Sequence, residues 1–526
     1  MQRRWSVVRL ALLVALALVL PPPPAGSAET CQIAAPPPSF DPHLKWSWTG
    51  STVEPDYRQV IATPIVVNLN DDDGDGKVTT KDIPDVVFLT TNRLDGGLCS
   101  GDTARLRAVS GKDGSTVFDV TDRLVHACVA PAVGDLDGDG IPEIVVATGS
   151  GFAIYGHDGA FKALTDPVGD VSTVGAPSIA DIDHDGHPEI IVGGTVLDHD
   201  GHVRFSHPDF GNSGLGAISV AVDLDLSGDL EIVTGFRAFK SDGSPFYTTP
   251  GLGNVGGYPA VGNFDDDPNP EVVVVHDGQV TLLEHDGTVK WGPVALPGGG
   301  RGGPPTVADF DGDGKPEIGV AGASRYVVFE TDGTVKWQSP TQDGSSNITG
   351  SSVFDFEQDG SAEVLYNDEL KFRIYRGSDG MVLFDTPNTS CTATENPVVV
   401  DVDNDGHADI VVAFNEICGF GNAGSGIKVF SDLNNTWVRT RRIWNEHAYH
   451  VTNVNEDGSI PKNEAANWLT AGLNNFRLNA FVPGEGNALD APDLVVTLSD
   501  DQRACPQGNV VTAHVKNAGA AGVAAG

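Results

Sequence analysis

The sequence predicts an all-β protein: a β-propeller of seven or eight four-stranded blades, then a short mixed segment and the start of a second β domain. Three observations predict this fold. An acidic stretch beside an apolar run, "GDLDGDGIPEIVVA" at positions 134–147, recurs along the chain. An Asp-Gly pair between apolar-rich runs follows most copies about 20 residues later. Hydrophobic residues make up 40 % of the chain, which excludes disorder.

The repeat unit predicts one blade. Asp-Gly supplies the positive φ that a tight hairpin turn needs. Each unit is therefore expected to run strand, acidic loop, strand, linker, strand, Asp-Gly turn, strand. Four short antiparallel strands per ~46 residues are typical of a propeller blade. A solenoid of hairpins is the alternative, but it would need polar capping units and none are evident.

Eight copies predict eight blades, or seven if the first or last copy is an extension. Their first loop residues are at positions 68, 135, 181, 223, 263, 309, 355 and 401, and the last three steps are 46 residues each. The segment "HLKWSWTG" from His43 resembles "TVKWQSP" at 334 and is a candidate to complete the final blade. We expect the propeller over residues 64–440, after an N-terminal segment at 29–63.

The N-terminus has the pattern of a secretory signal peptide over residues 1–28. Arg3 and Arg4 precede an apolar run at 10–20, and small residues at 26–28 offer a cleavage site. No later run of ~18 apolar residues predicts a transmembrane segment in the mature chain. Export permits disulfides, and we expect Cys99 to pair with Cys128 and Cys391 with Cys418. Cys31 and Cys505 then remain, paired with each other or not.

Charge excludes two classes of partner. The chain has 72 acidic and 32 basic residues, a net charge of −40. Nucleic acids and anionic lipids would both need a basic surface. The excess acidic residues are concentrated in the repeated loops, which indicates that these loops have a specific role.

The acidic loops have the composition of calcium sites. In the copy at 135, three aspartates alternate at loop positions 1, 3 and 5, the carbonyl of Ile141 is available at position 7, and Glu143 closes the set at position 9. Calcium takes six to eight oxygens, whereas magnesium demands stricter octahedral geometry. An EF-hand places its last acid at position 12 between two helices, whereas here the acid is at position 9 and a strand follows. Solvated acidic turns are the plainer alternative, which the eightfold recurrence disfavours.

These spacings predict up to about eight Ca²⁺ ions and a set of candidate ligands. The first copy fits two registers: a propeller register through Asn68, Asn70, Asp72 and Asp85, and a 12-residue EF-hand-like register through Asp71, Asp73, Asp75 and Asp82. Ser227 and Pro268 depart from the pattern in their loops. The other candidate ligands are Asp135, Asp137, Asp139, Ile141, Glu143, Asp181, Asp183, Asp185, His187, Glu189, Asp223, Asp225, Ser227, Asp229, Glu231, Asn263, Asp265, Asp267, Asn269, Glu271, Asp309, Asp311, Asp313, Lys315, Glu317, Asp355, Glu357, Asp359, Ser361, Glu363, Asp401, Asp403, Asp405, His407 and Asp409.

The D-x-D-x-D-G-x-x-[DE] loops joined to short apolar strands resemble FG-GAP/VCBS repeats, as in integrin α-subunit propellers. The resemblance covers about residues 64–438. It implies a secreted or cell-surface propeller whose calcium lies between the first two strands of each blade. Metal-ligand roles carry over only to the positions named above.

After residue 440 the period breaks. Residues 441–490 include an aromatic- and histidine-rich stretch, and 463–479 has helical character. His447 and His450 have an i, i+3 spacing that a metal site on a helix could use, although the strand-like residues that follow favour packing. Residues 491–526 resemble the start of a CARDB-type Ig-like adhesion domain, truncated relative to the ~100 residues of such a sandwich.

Two functions are compatible with these sequence features. The first is a calcium-dependent binding or adhesion scaffold for an extracellular protein or glycan. The second is a polysaccharide lyase, since some rhamnogalacturonan lyases have eight-bladed calcium propellers. The sequence has no GxSxG or HExxH motif, and Arg301 is the best isolated candidate for a substrate contact. The scaffold is therefore favoured and no catalytic residue is assigned.

Overall fold

The computed structural model describes residues 40–94, 99–169, 174–208, 211–212, 214–421, 423–479 and 481, and the backbone of two strands near the C-terminus. The signal peptide predicted over 1–28 lies outside the described residues. Within 491–526 the two antiparallel strands Leu494–Asp501 and Val510–Asn517 are described, and the rest of the predicted Ig-like domain is not. In the described part of the chain, no helix has the length and apolarity needed to cross a bilayer.

Eight antiparallel sheets of strands form the predicted propeller, with eight blades rather than seven. Within each blade, consecutive strands pair side by side, and blade 1 has an extra strand, Val125–His126, beside its third. The first strands of most successive blades are neighbours. From first to fourth strand, the blades are Ile65–Val67, Asp85–Thr91, Asp102–Ser110, Thr116–Asp119; Ala132–Gly134, Glu143–Thr148, Gly151–Tyr155, Phe161–Leu164; Ser178–Ala180, Glu189–Val192, Gly194–Leu197, Val203–His207; Val220–Val222, Glu231–Val233, Arg237–Phe239, Pro245–Thr248; Tyr258–Gly262, Glu271–His276, Gln279–Leu283, Val289–Ala295; Thr306–Ala308, Glu317–Ala321, Arg325–Phe329, Val335–Pro340; Ser352–Phe354, Glu363–Asn367, Lys371–Tyr375, Val382–Pro387; and Val398–Val400, Asp409–Phe414, Gly426–Asp432, Pro42–Trp48.

The fourth strand of blade 8 comes from the N-terminal side of blade 1. Pro42–Trp48 pairs antiparallel with Gly426–Asp432, so "HLKWSWTG" does complete the final blade. Trp48 is buried there and its ring meets Phe88 of blade 1 at 4.9 Å. Distant parts of the chain therefore close the ring through backbone hydrogen bonds and packing.

Strand burial follows the sequence pattern. Second strands such as Glu271–His276, "EVVVVH", are β-branched and almost entirely buried, because neighbouring blades cover both faces. Fourth strands alternate, as in Val335–Pro340, whose residues range from buried to exposed. The propeller core consequently lies in the three inner strands of each blade.

The Asp-Gly turns also join neighbouring blades. The turn glycine Gly333 of blade 6 lies under the ring of Trp291 from blade 5, where a Cβ would be 2.8 Å from the ring. Trp291 Nε1 donates to the Thr331 carbonyl at 2.9 Å. Gly380 of blade 7 lies under Trp337 of blade 6 in the same way, with a Cβ distance of 2.3 Å. Glycine is thus needed for its positive φ and for this close ring contact.

Residues 440–479, called here the central segment, lie against the inner strands of the ring. Trp444 and Val66 exchange backbone hydrogen bonds of 2.9 and 3.0 Å, and Phe476 and Val307 exchange bonds of 2.8 and 3.2 Å. The Val133 amide donates to the Asn445 carbonyl at 2.9 Å. The segment therefore contacts blades on several sides of the ring, and its aromatic residues extend the core.

The helix expected over 463–479 is wrong. Only a 3-10 turn, Asn467–Leu469, forms there, with a second at Val451–Asn453. The polar groups bond to the ring and to distant parts of the segment instead of within a helix. Asn479 Nδ2, for example, donates to the Val399 carbonyl at 3.0 Å and to the Ile443 carbonyl at 3.2 Å. Tertiary partners for buried amides thus outweigh local helix propensity.

Both expected disulfides are present. Cys99 is bonded to Cys128, and Cys391 to Cys418. Cys31 and Cys505 lie outside the described residues.

Candidate metal centres

Each acidic loop is shaped by hydrogen bonds from backbone amides to its own carboxylates. In blade 2, Asp135 at position 1 accepts the amides of Gly138 at 2.8 Å and Gly140 at 3.0 Å. Gly140 has a φ of +87°, which turns the chain back towards the second strand. In blade 6 Asp309 accepts equivalent amides at 2.7 and 2.8 Å. The alternating aspartates and the glycine thereby fold the loop around its acidic side chains.

The carboxylate at position 9 is buried and anchored in every blade. It opens the second strand and accepts the backbone amide of loop position 2. Glu143 accepts Leu136 at 2.9 Å and Glu317 accepts Phe310 at 2.7 Å. The same bond is made by Asp85, Glu189, Glu231, Glu271, Glu363 and Asp409.

The loops bring together the first, third and ninth positions. In several blades one oxygen from each of three carboxylates lies within 4.8 Å of the others. Position 5 residues such as Asp139 instead lie at the exposed rim. Groups from positions 1, 3 and 9 include Asp135, Asp137 and Glu143; Asp181, Asp183 and Glu189; and Asp223, Asp225 and Glu231. In blade 5 the acids at positions 3 and 9, Asp265 and Glu271, converge instead with Glu284 from outside the loop.

Several oxygens in these loops fit a cation. Oδ1 of Asp85 is fully buried and has no hydrogen-bond partner among the described residues. Oδ1 of Asp183 and Oδ1 of Asp403 have none either, although the Oδ2 atoms of these two carboxylates form ion pairs with Arg204 and Lys45. A buried acceptor without a donor is costly. All-oxygen donor sets of this kind suit a hard cation such as Ca²⁺.

Burial and neighbouring negative charges raise the pKa of the position-9 acids. Burial is the larger cause, and it raises the pKa of Glu231 to about 8 and that of Glu189 to about 7. In blade 7 burial and then the charge of Glu357 raise the pKa of Glu363 to about 9. A bound cation would remove this opposition to ionisation.

The first copy contains features of both predicted registers. Asp85 accepts the Leu69 amide at 3.0 Å, as the position-9 acids of the other blades do. Asp71 accepts the amides of Gly74 and Gly76, both at 2.7 Å, as position-1 aspartates do. Asp82 accepts the Asp72 amide at 2.9 Å, and its oxygen lies near those of Asp71 and Asp73. The insertion therefore forms an acidic loop of its own beside the propeller position.

Position 7 contributes side chains that tie neighbouring loops together. Ser361 Oγ donates to the Phe310 carbonyl of the preceding blade at 2.7 Å, and Asn269 Nδ2 donates to the Leu224 carbonyl at 2.9 Å. His407 Nδ1 contacts the Trp437 carbonyl at 2.8 Å. These three side chains are engaged away from the carboxylates, so in blades 5, 7 and 8 position 7 has only its carbonyl to offer a cation.

The two loops that depart from the pattern, that of blade 4 with Ser227 and that of blade 5 with Pro268, differ in their internal contacts. Ser227 keeps the loop of blade 4 in shape, because its amide donates to Asp223 at 2.9 Å. In blade 5 the Asn263 amide donates to the Asp267 carbonyl at 2.6 Å, which places a donor where other blades have a carboxylate. The loop of blade 5 therefore offers one negative charge fewer at position 1.

Basic side chains reach into five loops, a feature the sequence reasoning missed. Lys162, Arg204, Lys290, Lys336 and Lys45 each form ion pairs with loop carboxylates. A sequence signal exists, because four of the five follow the turn glycine by three positions.

The other candidates are structural. His447 is fully buried and its Nε2 is 2.8 Å from the Thr394 carbonyl, while His450 Nε2 is 2.6 Å from Glu464. Both histidines therefore pack, as expected. The backbone amide of Arg301 donates to Asn347 at 2.7 Å and its guanidinium to the Ser346 carbonyl at 3.2 Å, so it links two loops.

Comparisons with known proteins identify the repeat. The FG-GAP-like repeat family matches residues 106–192, 263–320, 309–366 and 355–412. The biofilm matrix protein Bap1 of V. cholerae has the same fold: TM-score 0.74, 24 % identity, 84 % of this chain and all of that chain covered. The rhamnogalacturonan lyase YesX gives a TM-score of 0.48 at 17 % identity over 73 % of this chain and 74 % of its own.

A rhamnogalacturonan lyase from Bacillus licheniformis gives 0.47 at 18 % identity over 74 % of both chains. Likeness at the level of either lyase carries no functional argument. No curated protein sequence matches the chain significantly. Residues 106–192 and 263–412 therefore match the FG-GAP-like repeat family and lie within an eight-bladed β-propeller.

Proposed function

We propose that this protein is an exported β-propeller that binds calcium in its acidic loops and acts as a binding or adhesion scaffold for an extracellular protein or glycan. The observation that carries the calcium proposal is the convergence of buried carboxylates in the repeated loops. Two unit charges 4 Å apart repel by ~4 kcal/mol at an effective dielectric of 20. A cation that binds the folded loops, and not the unfolded chain, stabilises the propeller by mass action.

Thermal melts test the calcium proposal. The full chain should melt several degrees lower in excess EGTA than in millimolar calcium, and added calcium should restore the melting temperature. Magnesium is the matched control, because its stricter octahedral geometry should make it a weak substitute. Identical melting temperatures in EGTA and calcium would refute calcium binding.

Export is supported by the covalent chemistry of the chain. The two disulfides, Cys99–Cys128 and Cys391–Cys418, belong in an oxidising compartment. The fold shared with a biofilm matrix protein agrees with an extracellular role. Detection of the processed chain in the culture medium or on the cell surface tests this location.

A groove on the loop side of blades 6 and 7 is the candidate ligand surface. It has a volume of about 610 Å³ and lies between the loops and the central segment. Leu469 and Phe481 line it and are 53 % and 36 % exposed, beside the amides of Gln358 and Asn474. Exposed apolar surface flanked by amides and carboxylates is suited to a sugar chain, whose faces are apolar and whose edges carry hydroxyls.

A glycan-array screen in calcium, with product detection, tests the scaffold. Binding without an unsaturated product is the expected result, whereas formation of such a product would replace the scaffold by a lyase. Leu469→Asp should abolish binding to any glycan retained by the wild type. Leu433→Asp is the matched control, because Leu433 is 58 % exposed but does not line the groove. Equal loss in both variants would rule out the groove as the site.

A further inference from the structure

The fourth strand has a β-bulge at the same place in every blade. In blade 6, Val335 pairs with Phe329 and Trp337 with Val328, so Lys336 between them has no partner in the ladder. A bulge re-aims the side chain of its extra residue. The bulged residues of blades 1 to 8 are Val117, Lys162, Arg204, Phe246, Lys290, Lys336, Leu383 and Lys45.

In five blades the bulged residue is basic and its charge lies among the loop carboxylates. Lys162 Nζ is 2.9 Å from Asp137 and 2.5 Å from Glu143, at loop positions 3 and 9. The same two positions are contacted in blades 3, 5, 6 and 8. These loops already contain one positive charge supplied by the chain.

In blade 8 the ammonium group of the bulge residue occupies the place among the carboxylates that a bound metal ion would take. Lys45 Nζ lies 2.5 Å from Asp403, 3.6 Å from Asp405 and 3.2 Å from Asp409, at positions 3, 5 and 9. Calcium would need the same oxygens at about 2.3–2.6 Å. The ammonium and the metal therefore cannot occupy this loop together.

Blades 1, 4 and 7 have an apolar residue in the bulge. In blade 7 the loop contains Asp355, Glu357, Asp359 and Glu363, and its bulge residue is Leu383. The basic residues described in that blade form ion pairs elsewhere: Lys371 with Asp385, Arg373 with Asp368 and Arg376 with Asp379. Neutralisation of the blade 7 loop therefore depends on an ion from solution.

We propose that the bulge residue determines which loops take a divalent cation: the loops of blades 1, 4 and 7 bind it strongly, and the basic bulge residues of blades 2, 3, 5, 6 and 8 exclude it or weaken it. This inference rests on the proposed calcium binding. The chain then holds fewer tight calcium ions than it has blades. Entry into the other loops requires the ammonium or guanidinium to leave its carboxylates.

Calcium counting on exchanged bulge residues tests this inference. The metal-stripped full chain is titrated with calcium, and bound ions are counted by native mass spectrometry and calorimetry. Lys336→Met should add one tight ion and Leu383→Lys should remove one. Lys371→Met is the charge-matched control, because Lys371 lies outside the acidic loops and the bulges and pairs with Asp385, and it should leave the number of ions unchanged.

The outcomes separate the two proposals. Wild type with fewer tight ions than its eight blades, a gain in Lys336→Met and a loss in Leu383→Lys support the inference. Eight equivalent ions, or unchanged counts in both variants, would overturn it and leave calcium binding intact. No calcium bound at all would instead refute the proposed function. Lys162→Met in blade 2 provides a second gain-of-ion variant if Lys336→Met does not fold.

Discussion

Replacement of Trp444 by alanine tests whether the central segment holds the ring together. Trp444 is fully buried and its ring stacks on Tyr449 at 4.5 Å with an interplanar angle of 24°. Truncation of a buried Trp to Ala costs ~3–5 kcal/mol, and an aromatic pair contributes ~0.5–1.5 kcal/mol beyond its area. The backbone bonds with Val66 survive the substitution, so we expect a loss of ~4–5 kcal/mol from the free energy of unfolding.

Urea unfolding at fixed calcium, followed by far-ultraviolet circular dichroism, measures this loss. Leu469→Ala is the control, because Leu469 is in the same segment but 53 % exposed, and its cost should stay within ~0.5 kcal/mol. If Trp444→Ala unfolds within ~1 kcal/mol of the wild type, the segment merely lies on a ring that is stable without it.

Three further predictions concern single groups. Burial lowers the pKa of His447 to about 3, so between pH 6.5 and 3 this histidine is protonated in the unfolded chain but not in the folded one. Its contribution to the free energy of unfolding is therefore fully present above pH 6.5 and falls by ~1.4 kcal/mol per pH unit below it. His447→Gln should remove this part of the pH dependence, as measured by urea unfolding at pH 7 and pH 5. Replacing Cys99 and Cys128 together by serine removes the crosslink from a loop with a sequence separation of 29 and should lower the free energy of unfolding by ~3–4 kcal/mol. If the double variant is as stable as the disulfide-bonded wild type, the crosslink does not stabilise the fold. Gly380→Ala should lower the free energy of unfolding by several kcal/mol in the same assay, because its Cβ would lie 2.3 Å from the Trp337 ring. Gly138→Ala is the control: Gly138 has a similar φ but open space around it, so the loss should be only ~1 kcal/mol. Equal losses in the two variants would show that the contact with the ring does not matter.

Much of the ring could be predicted because its determinants are local and repeated. Each acidic loop, such as that from Asp135 to Glu143, is shaped by hydrogen bonds from its own backbone amides to its own carboxylates. The conformation of the loop therefore follows from its local sequence. The closing strand was recognisable because Trp46 and Trp337 occupy equivalent places in two fourth strands. The repeats can be compared with one another, and this comparison identifies equivalent positions that a single copy would not reveal.

The central segment could not be predicted in the same way. Its buried amides, such as that of Asn479, bond to carbonyls distant in the chain, and no period reveals those partners. The cations in the loops were missed for a related reason. Lys336 is 19 positions beyond Glu317, so their contact depends on strand pairing and on the bulge, not on sequence neighbours.

The closing strand has a consequence for how the chain reaches its native state. The Asp41 amide donates to Asp432 across a sequence separation of 391, and blade 8 is complete only when these two regions meet. Contacts between such distant residues form late and slow folding. Until then Gly426–Asp432 presents an unpaired edge, and the Pro42–Trp48 strand of another molecule could pair with it equally well. Slow closure at high concentration should therefore yield strand-swapped oligomers, whereas dilute refolding should give closed monomeric rings.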